Sequence, residues 1–356
     1  MNRRLLWMFA GVLALAAGMY GYRYRHLFDF SRPVPEPEVA WDQGDPPPPL
    51  PDEVPLIELD LEPLFEMKKF GEGLVFDADG WGYVSTGDRI ERFTLAGERS
   101  TWAVTGGMPL GHVIQPDGTH LVCDVERRAV LHIAADGSEL GVASSGTPDF
   151  PLRRPNDIEL DAHGGFYFSD SAMESNDQNR VGRIFHVDAA GVTRLFDSRL
   201  ANPNGLALSL DGKRLFAAED WLNRIHEYRL TGPGRAASKR VFANLPAKQG
   251  DQLDNQPDTL RLDAEGNLLV AHFGMKRVQV LDRDGRLIHS IPSGMWNTGG
   301  LAFAGPEREL LFVSGGNDHE PHTPAVLVKI DLSATNIRGP RPPAGSSSPG
   351  LRSANR

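Results

Sequence analysis

Six segments of this chain repeat one pattern, and few folds accommodate six copies of a single unit. Each has a small or polar pair, an apolar alternation, and a turn usually carrying Asp-Gly or a relative. They read EGLVFDADG from Glu72, LGHVIQPDG from Leu110, NDIELDAHG from Asn156, NGLALSLDG from Asn204, DTLRLDAEG from Asp258 and GGLAFAGPE from Gly299. Successive starts lie 38, 46, 48, 54 and 41 residues apart, which suits one four-stranded propeller blade with variable loops. A second strand follows each segment (GWGYVSTG, THLVCDV, GGFYFSDS, RLFAAED, NLLVAHF, ELLFVSG). A third comes next (RIERFTL, AVLHIAA, GRIFHVD, RIHEYRL, RVQVLDR, AVLVKIDL). Asp79-Gly80, Asp117-Gly118 and Asp211-Gly212 are strong hairpin turns between such strands. Helical periodicity is hardly visible. The expected fold is all-β, a six-bladed β-propeller with four-stranded blades. No fourth strand is evident after Leu332, and Pro55–Pro63 (PLIELDLEP) is expected to supply it, closing the ring and removing its edges.

The propeller is expected to occupy residues 56–337. Before it, residues 1–30 read as a transmembrane anchor or signal segment. Leu5–Tyr22 has no charged residue and lies between Arg3, Arg4 and Arg23, Arg25, just long enough to cross a bilayer. Trp7, Tyr20, Tyr22 and Tyr24 near its ends favour an uncleaved anchor over a signal peptide cleaved at Ala14-Leu15-Ala16. The propeller would then lie outside the cytoplasm, periplasmic or extracellular, with secretion after cleavage as the alternative. Residues 31–55, with Pro46 to Pro49 in a row, read as an extended Pro-rich linker. Residues 338–356 read as a disordered tail. A net charge of −10 gives no support for nucleic-acid binding. The single cysteine, Cys123, excludes an intramolecular disulfide.

In a blade, the innermost strand starts at the face to which the loop between strands two and three returns. The heads of the six repeats therefore converge on one rim: Glu72, Leu110, Asn156, Asn204, Asp258 and Gly299. Four are oxygen donors, two of them carboxylates, with no thiolate or imidazole. Such a set suits a hard cation, Ca²⁺ first, with Mg²⁺ and Mn²⁺ as alternatives. Asn, Asp and Gly also serve turns, but Glu72 is not a turn-forming type. The rim loops add Ser169, Asp170, Asp220, Trp221, His272, Asp318, His319, Glu320 and His322. The Asp318–His322 run lies on no helix, so its spacing carries no ligand geometry. Trp221 and Trp296 could line an apolar pocket. His112, two residues past Leu110, shares that residue's face of the strand and is expected to be a core histidine. No Gly-Xaa-Ser-Xaa-Gly elbow is present.

Glu72-Gly73, Arg154-Pro155-Asn156-Asp157, Pro203-Asn204-Gly205 and Pro257-Asp258 each stand at the head of a repeat. In these the chain resembles the gluconolactonase/regucalcin-like propellers (senescence marker protein/gluconolactonase/LRE-like) over about residues 64–332. Paraoxonases and strictosidine-synthase-like proteins are more distantly similar. The resemblance implies a divalent-metal-dependent hydrolase, with calcium the first ion expected, acting on a lactone or related ester. It implies Glu72, Asn204 and Asp258 as metal ligands, with Asn156 beside the metal or substrate and Asp258 essential as base or nucleophile. With the rim loops added, the expected substrate-binding residues are Asn156, Asp157, Trp221 and His272. A non-catalytic, metal-containing binding propeller of the strictosidine-synthase-like type is the alternative. A condensing enzyme ranks third, with Glu320 as the late carboxylate it would need.

Overall fold

Apolar alternation makes each repeat a set of strands, and the turns between them decide which strands meet. The computed structural model describes residues 39–42, 47–51, 54–171, 181–247, 255–316 and 324–341. Its strands form six antiparallel four-stranded sheets. Blade one runs outward from Gly71–Phe76 through Gly82–Thr86 and Arg89–Phe93 to Arg99–Val104. The innermost strands of blades two to six are Pro109–Ile114, Pro155–Leu160, Pro203–Leu208, Gln256–Leu262 and Asn297–Ala304. The expected six-bladed architecture is therefore the observed one. An apolar cluster lies at each junction between neighbouring blades. Between blades six and one, for example, Leu74, Val84 and Phe93 meet Phe312 and Leu327. Both faces of every sheet are thus covered, which is why second strands such as Phe166–Asp170 are buried throughout.

The ring closes as expected in kind but not in register. The outer strand of blade six is Leu61–Met67, with Leu61 opposite Ile330 and Met67 opposite Ala325. Pro55–Pro63 was the expected closing strand. Its first part instead serves blade five, where Leu56 bridges Ser290 and the Ile57 N–H donates to the Ser290 carbonyl at 3.1 Å. Met67, buried between blades six and one, fixes the later register.

The described part of residues 31–55 is likewise docked rather than a free spacer. The Asp42 N–H donates to the Lys239 carbonyl (2.8 Å) and the Leu50 N–H to the Asn244 carbonyl (2.9 Å), both on the outer strand of blade four. Exposed strand edges carry unpaired backbone groups, and this strap satisfies some of them. Val39 packs with Tyr167, Phe196 and Tyr228. At the other end, the Gly339 N–H donates to the Arg308 carbonyl at 2.9 Å, so packing continues past residue 337. Leu5–Tyr22 and most of the expected tail lie outside the described residues. Among the described residues no helix is long and apolar enough to cross a membrane.

Blade two departs from its sisters at one core position. Two residues past the rim, five inner strands carry Leu74, Ile158, Leu206, Leu260 and Leu301, and the sixth carries His112; all are fully buried. His112 is thus the core histidine anticipated. Its Nε2 lies 2.6 Å from His120 Nδ1, and Tyr83 and Trp102 pack around the pair. Burial, with the neighbouring His120, pushes His112 well below the ordinary imidazole value, and burial holds His120 at about 4. The unfolded chain takes up these protons near pH 6.5, whereas the folded pair resists down to about pH 4. Stability is therefore full above about pH 6.5 and falls toward pH 4. His112→Leu, which restores the residue of the other blades, should flatten that decline in melts recorded at pH 7.5 and 5. Equal slopes for the two proteins would show that the pair does not drive it.

Candidate metal and active site

Two local features bring the repeat heads together at the mouth. Strand pairing breaks register around three of them, between Pro155 and Ile158, Pro203 and Leu206, and Pro257 and Leu260. Such bulges turn a side chain out of the regular ladder. The second feature is the glycine that follows two of the donors. At Gly73 (φ +59°) a Cβ would collide with the Leu110 carbonyl, and at Gly205 with the carbonyl of Asp258 itself. Glu72-Gly73 and Asn204-Gly205 therefore pair a donor with a position that admits the next blade's backbone. Rim residue Gly299 admits the Phe70 ring, which a Cβ would meet at 2.6 Å, and lies beside Asp258, whose Oδ2 would be 3.4 Å from that Cβ.

The electrostatics of the mouth is that of crowded carboxylates. Asp258 is 5% exposed, and its Oδ1 is buried with no hydrogen-bond partner. Burial pushes its pKa well above the usual carboxylate range, and the charges of Glu72, Asp220 and Asp157 push it further. Burial raises Glu72 to about 7, opposed by the Arg154 cation and reinforced by Asp157. Asp220, 6% exposed, also has a partnerless Oδ1. Its pKa is well raised by burial and by Glu72, against the hydrogen bonds from Asn204 and Asn202. Carboxylates so placed are strained when ionised unless a cation joins them. Asn156 and Asn204, both buried at the rim, add amide groups. Among the described residues no three Asp, Glu, His or Cys side chains gather into a ligand cluster by themselves. An ion here would depend on the amide oxygens and on water as well as on carboxylates. That mixed oxygen set fits a hard divalent cation.

The other expected site residues divide. Trp221 lies on the short 3-10 turn Asp220–Leu222 and is 40% exposed, available to a ligand. Asp157 is buried, and its Oδ2 accepts from the Leu206 N–H at 2.9 Å and lies 4.0 Å from Arg261. His272 is fully buried, with Nε2 2.9 Å from Asn223 Oδ1 and Nδ1 3.4 Å from Gln279 Nε2. Asp157 and His272 thus each have a polar atom engaged within the fold, next to the repeat heads Asn156 and Asp258. Asp318, His319, Glu320 and His322 lie outside the described residues. Asp220 is a part of this mouth that the repeat heads alone did not single out. Aligning blades reveals it: Asp170 pairs with Pro155 and Glu219 with Pro203, so Asp220 stands where blade three has Ser171.

Comparison with known proteins agrees with the six-bladed fold. The family model described as SMP-30/Gluconolactonase/LRE-like region matches residues 70–317. Diisopropyl-fluorophosphatase of Loligo vulgaris is 25% identical over 259 residues, which cover 65% of this chain and 81% of that protein. Lactonase drp35 of Staphylococcus saprophyticus is 30% identical over 249 residues, 65% of this chain and 72% of the lactonase. Gluconolactonase of Zymomonas mobilis is 25% identical over 224 residues, 60% of this chain and 61% of that enzyme. Among solved structures, regucalcin of Agrobacterium tumefaciens superimposes with a TM-score of 0.65 at 20% identity, covering 79% of this chain and 95% of that one. A gluconolactonase of Xanthomonas campestris gives 0.65 at 21%, covering 84% and 98%. At those identities the two structures speak for the fold.

Proposed function

Because this chain belongs to the SMP-30/gluconolactonase/LRE-like family, we propose that it is a divalent-cation-dependent hydrolase of lactones or related esters. The observation that carries the reading is the mouth: a buried Asp258 with a partnerless oxygen, within electrostatic reach of Glu72, beside two rim amides. Glu72 and Asp258 would balance the charge of the ion, and Asn156 and Asn204 would offer it amide oxygens. The all-oxygen set places Ca²⁺ ahead of Mg²⁺ and Mn²⁺. When bound, such an ion supplies a Lewis acid for the acyl carbonyl. Asp258 Oδ1 has no hydrogen bond to break before it meets substrate or water. It is therefore suited either to hold the proton of an attacking water or to attack the carbonyl itself. Trp221 would offer an apolar wall.

The test is hydrolysis by metal-stripped protein against a panel of lactones and aryl esters, with Ca²⁺, Mg²⁺ and Mn²⁺ titrated back. Turnover that returns with the cation supports the proposal. Tight cation binding without turnover on any substrate would favour a binding propeller instead.

We further propose that Leu5–Tyr22 tethers the propeller to a membrane, with the folded part outside the cytoplasm; the support is its uncharged length and flanking arginines. Full-length protein should stay with the membrane pellet through alkaline carbonate extraction. Release into the supernatant would contradict the tether.

A further inference from the structure

The two rim amides are held in the same way from equivalent positions. In blade three, Asn156 Nδ2 donates to Ser171 Oγ at 3.2 Å. In blade four, Asn204 Nδ2 lies 3.3 Å from Asp220 Oδ2, and Asn202 Nδ2 donates to the same oxygen at 2.8 Å. Ser171 and Asp220 occupy matching places, one residue beyond the second-strand residue that pairs with the proline before each amide. Asp220 is fixed from its backbone as well, where its N–H donates to the Asn202 carbonyl at 3.1 Å and opens the 3-10 turn. Ionised beside a bound cation, Asp220 accepts and cannot donate, so the atom of Asn204 that faces it is the amide nitrogen. The amide oxygen of Asn204 is then left for the mouth.

We propose that Asp220 is a positioning residue for the cation site, acting through Asn204 to keep its amide oxygen turned toward the ion. This rests on the cation reading given above. Serine does the same for Asn156 with a neutral hydrogen bond, whereas Asp220 can make a charge-assisted one. Outer partners of this kind orient metal ligands, and their loss typically weakens metal binding about 10- to 100-fold. With asparagine at position 220, the new amide could donate to Asn204 Oδ1 and turn that oxygen away from the mouth. Exchanging the two residues restores both the hydrogen bond and the total charge, now with a carboxylate as the inner partner.

The experiment is calorimetric titration of CaCl₂ into the EDTA-stripped full-length protein. It compares wild type, Asp258→Asn, Asp220→Asn, Asn204→Asp and the exchange Asn204→Asp/Asp220→Asn, with metal-free melting curves to verify folding. Asp220→Asn is expected to bind Ca²⁺ about tenfold or more weakly, the exchange to recover most of that loss, and Asn204→Asp alone to bind more weakly than the exchange. Wild-type affinity in Asp220→Asn would overturn the proposal, as would an exchange variant no better than either single one. Should Asp220→Asn not fold, the ranking of Asn204→Asp against the exchange decides alone. No binding by wild type, or binding unaffected by Asp258→Asn, would instead remove the underlying cation reading.

Discussion

Asp258→Asn is expected to lower kcat/KM for lactone or ester hydrolysis by about 10³-fold or more, the range for loss of an essential acid–base or nucleophilic group. The same change should leave the metal-free melting temperature equal or higher. Asp258 is buried, with Glu72, Asp220 and Asp157 each adding unfavourable charge to it, so a neutral amide of the same shape relieves repulsion in the absence of a cation. Opposite signs for activity and stability mark a group retained for function rather than for folding. A variant that hydrolyses normally would remove Asp258 from the chemistry. One that loses activity and also melts far earlier would mean that the carboxylate supports the fold.

The second large effect is on stability and lies away from the mouth. Lys239 and Asp197 form a buried ion pair, Nζ to Oδ2 2.6 Å, with the Tyr228 hydroxyl donating to the same oxygen at 2.8 Å. Trp41 of the N-terminal strap covers the lysine, its ring centroid 4.7 Å from Nζ. Asp197→Ala leaves an ammonium buried without its counter-charge, and such a break costs about 3–5 kcal/mol. Against a typical total of about 5–15 kcal/mol, that is a large share. Urea unfolding at pH 7 should show it, and Asp197→Leu combined with Lys239→Met should recover much of the loss, since apolar replacement of both partners is often neutral. A single-variant change below about 1 kcal/mol would mean that water reaches Lys239.

Much of this was legible in the sequence, for physical reasons that differ by element. The blades were visible because Asp-Gly turns recur at blade spacing and each inner strand repeats one apolar pattern. The rim donors were visible because topology alone places the repeat heads on one face. The closing strand was misplaced because alternation continues from PLIELDLEP into Leu61–Met67, and only burial of Met67 selects the later register. The strap looks like a spacer in sequence because composition reports backbone preference, not which neighbouring edge is open to it. Nearness to the rim in sequence points to Asp157 and His272 as substrate contacts. Their burial and their bonds to the Leu206 N–H and to Asn223 come from tertiary packing, which nearness in sequence does not report. Asp220 follows its strand on a turn, outside any alternation. Only blade-to-blade alignment with Ser171 distinguishes it from an ordinary loop acid.

The central claim is that the mouth holds a divalent cation on oxygen ligands, and the most direct measurement is anomalous diffraction from crystals grown with Ca²⁺ and with Mn²⁺. The expected result is one strong peak on the propeller axis, about 2.3–2.6 Å from oxygens of Glu72, Asn156, Asn204 and Asp258 in the calcium crystal. No peak there at saturating cation, or a peak bound only by residues away from these four, would contradict it.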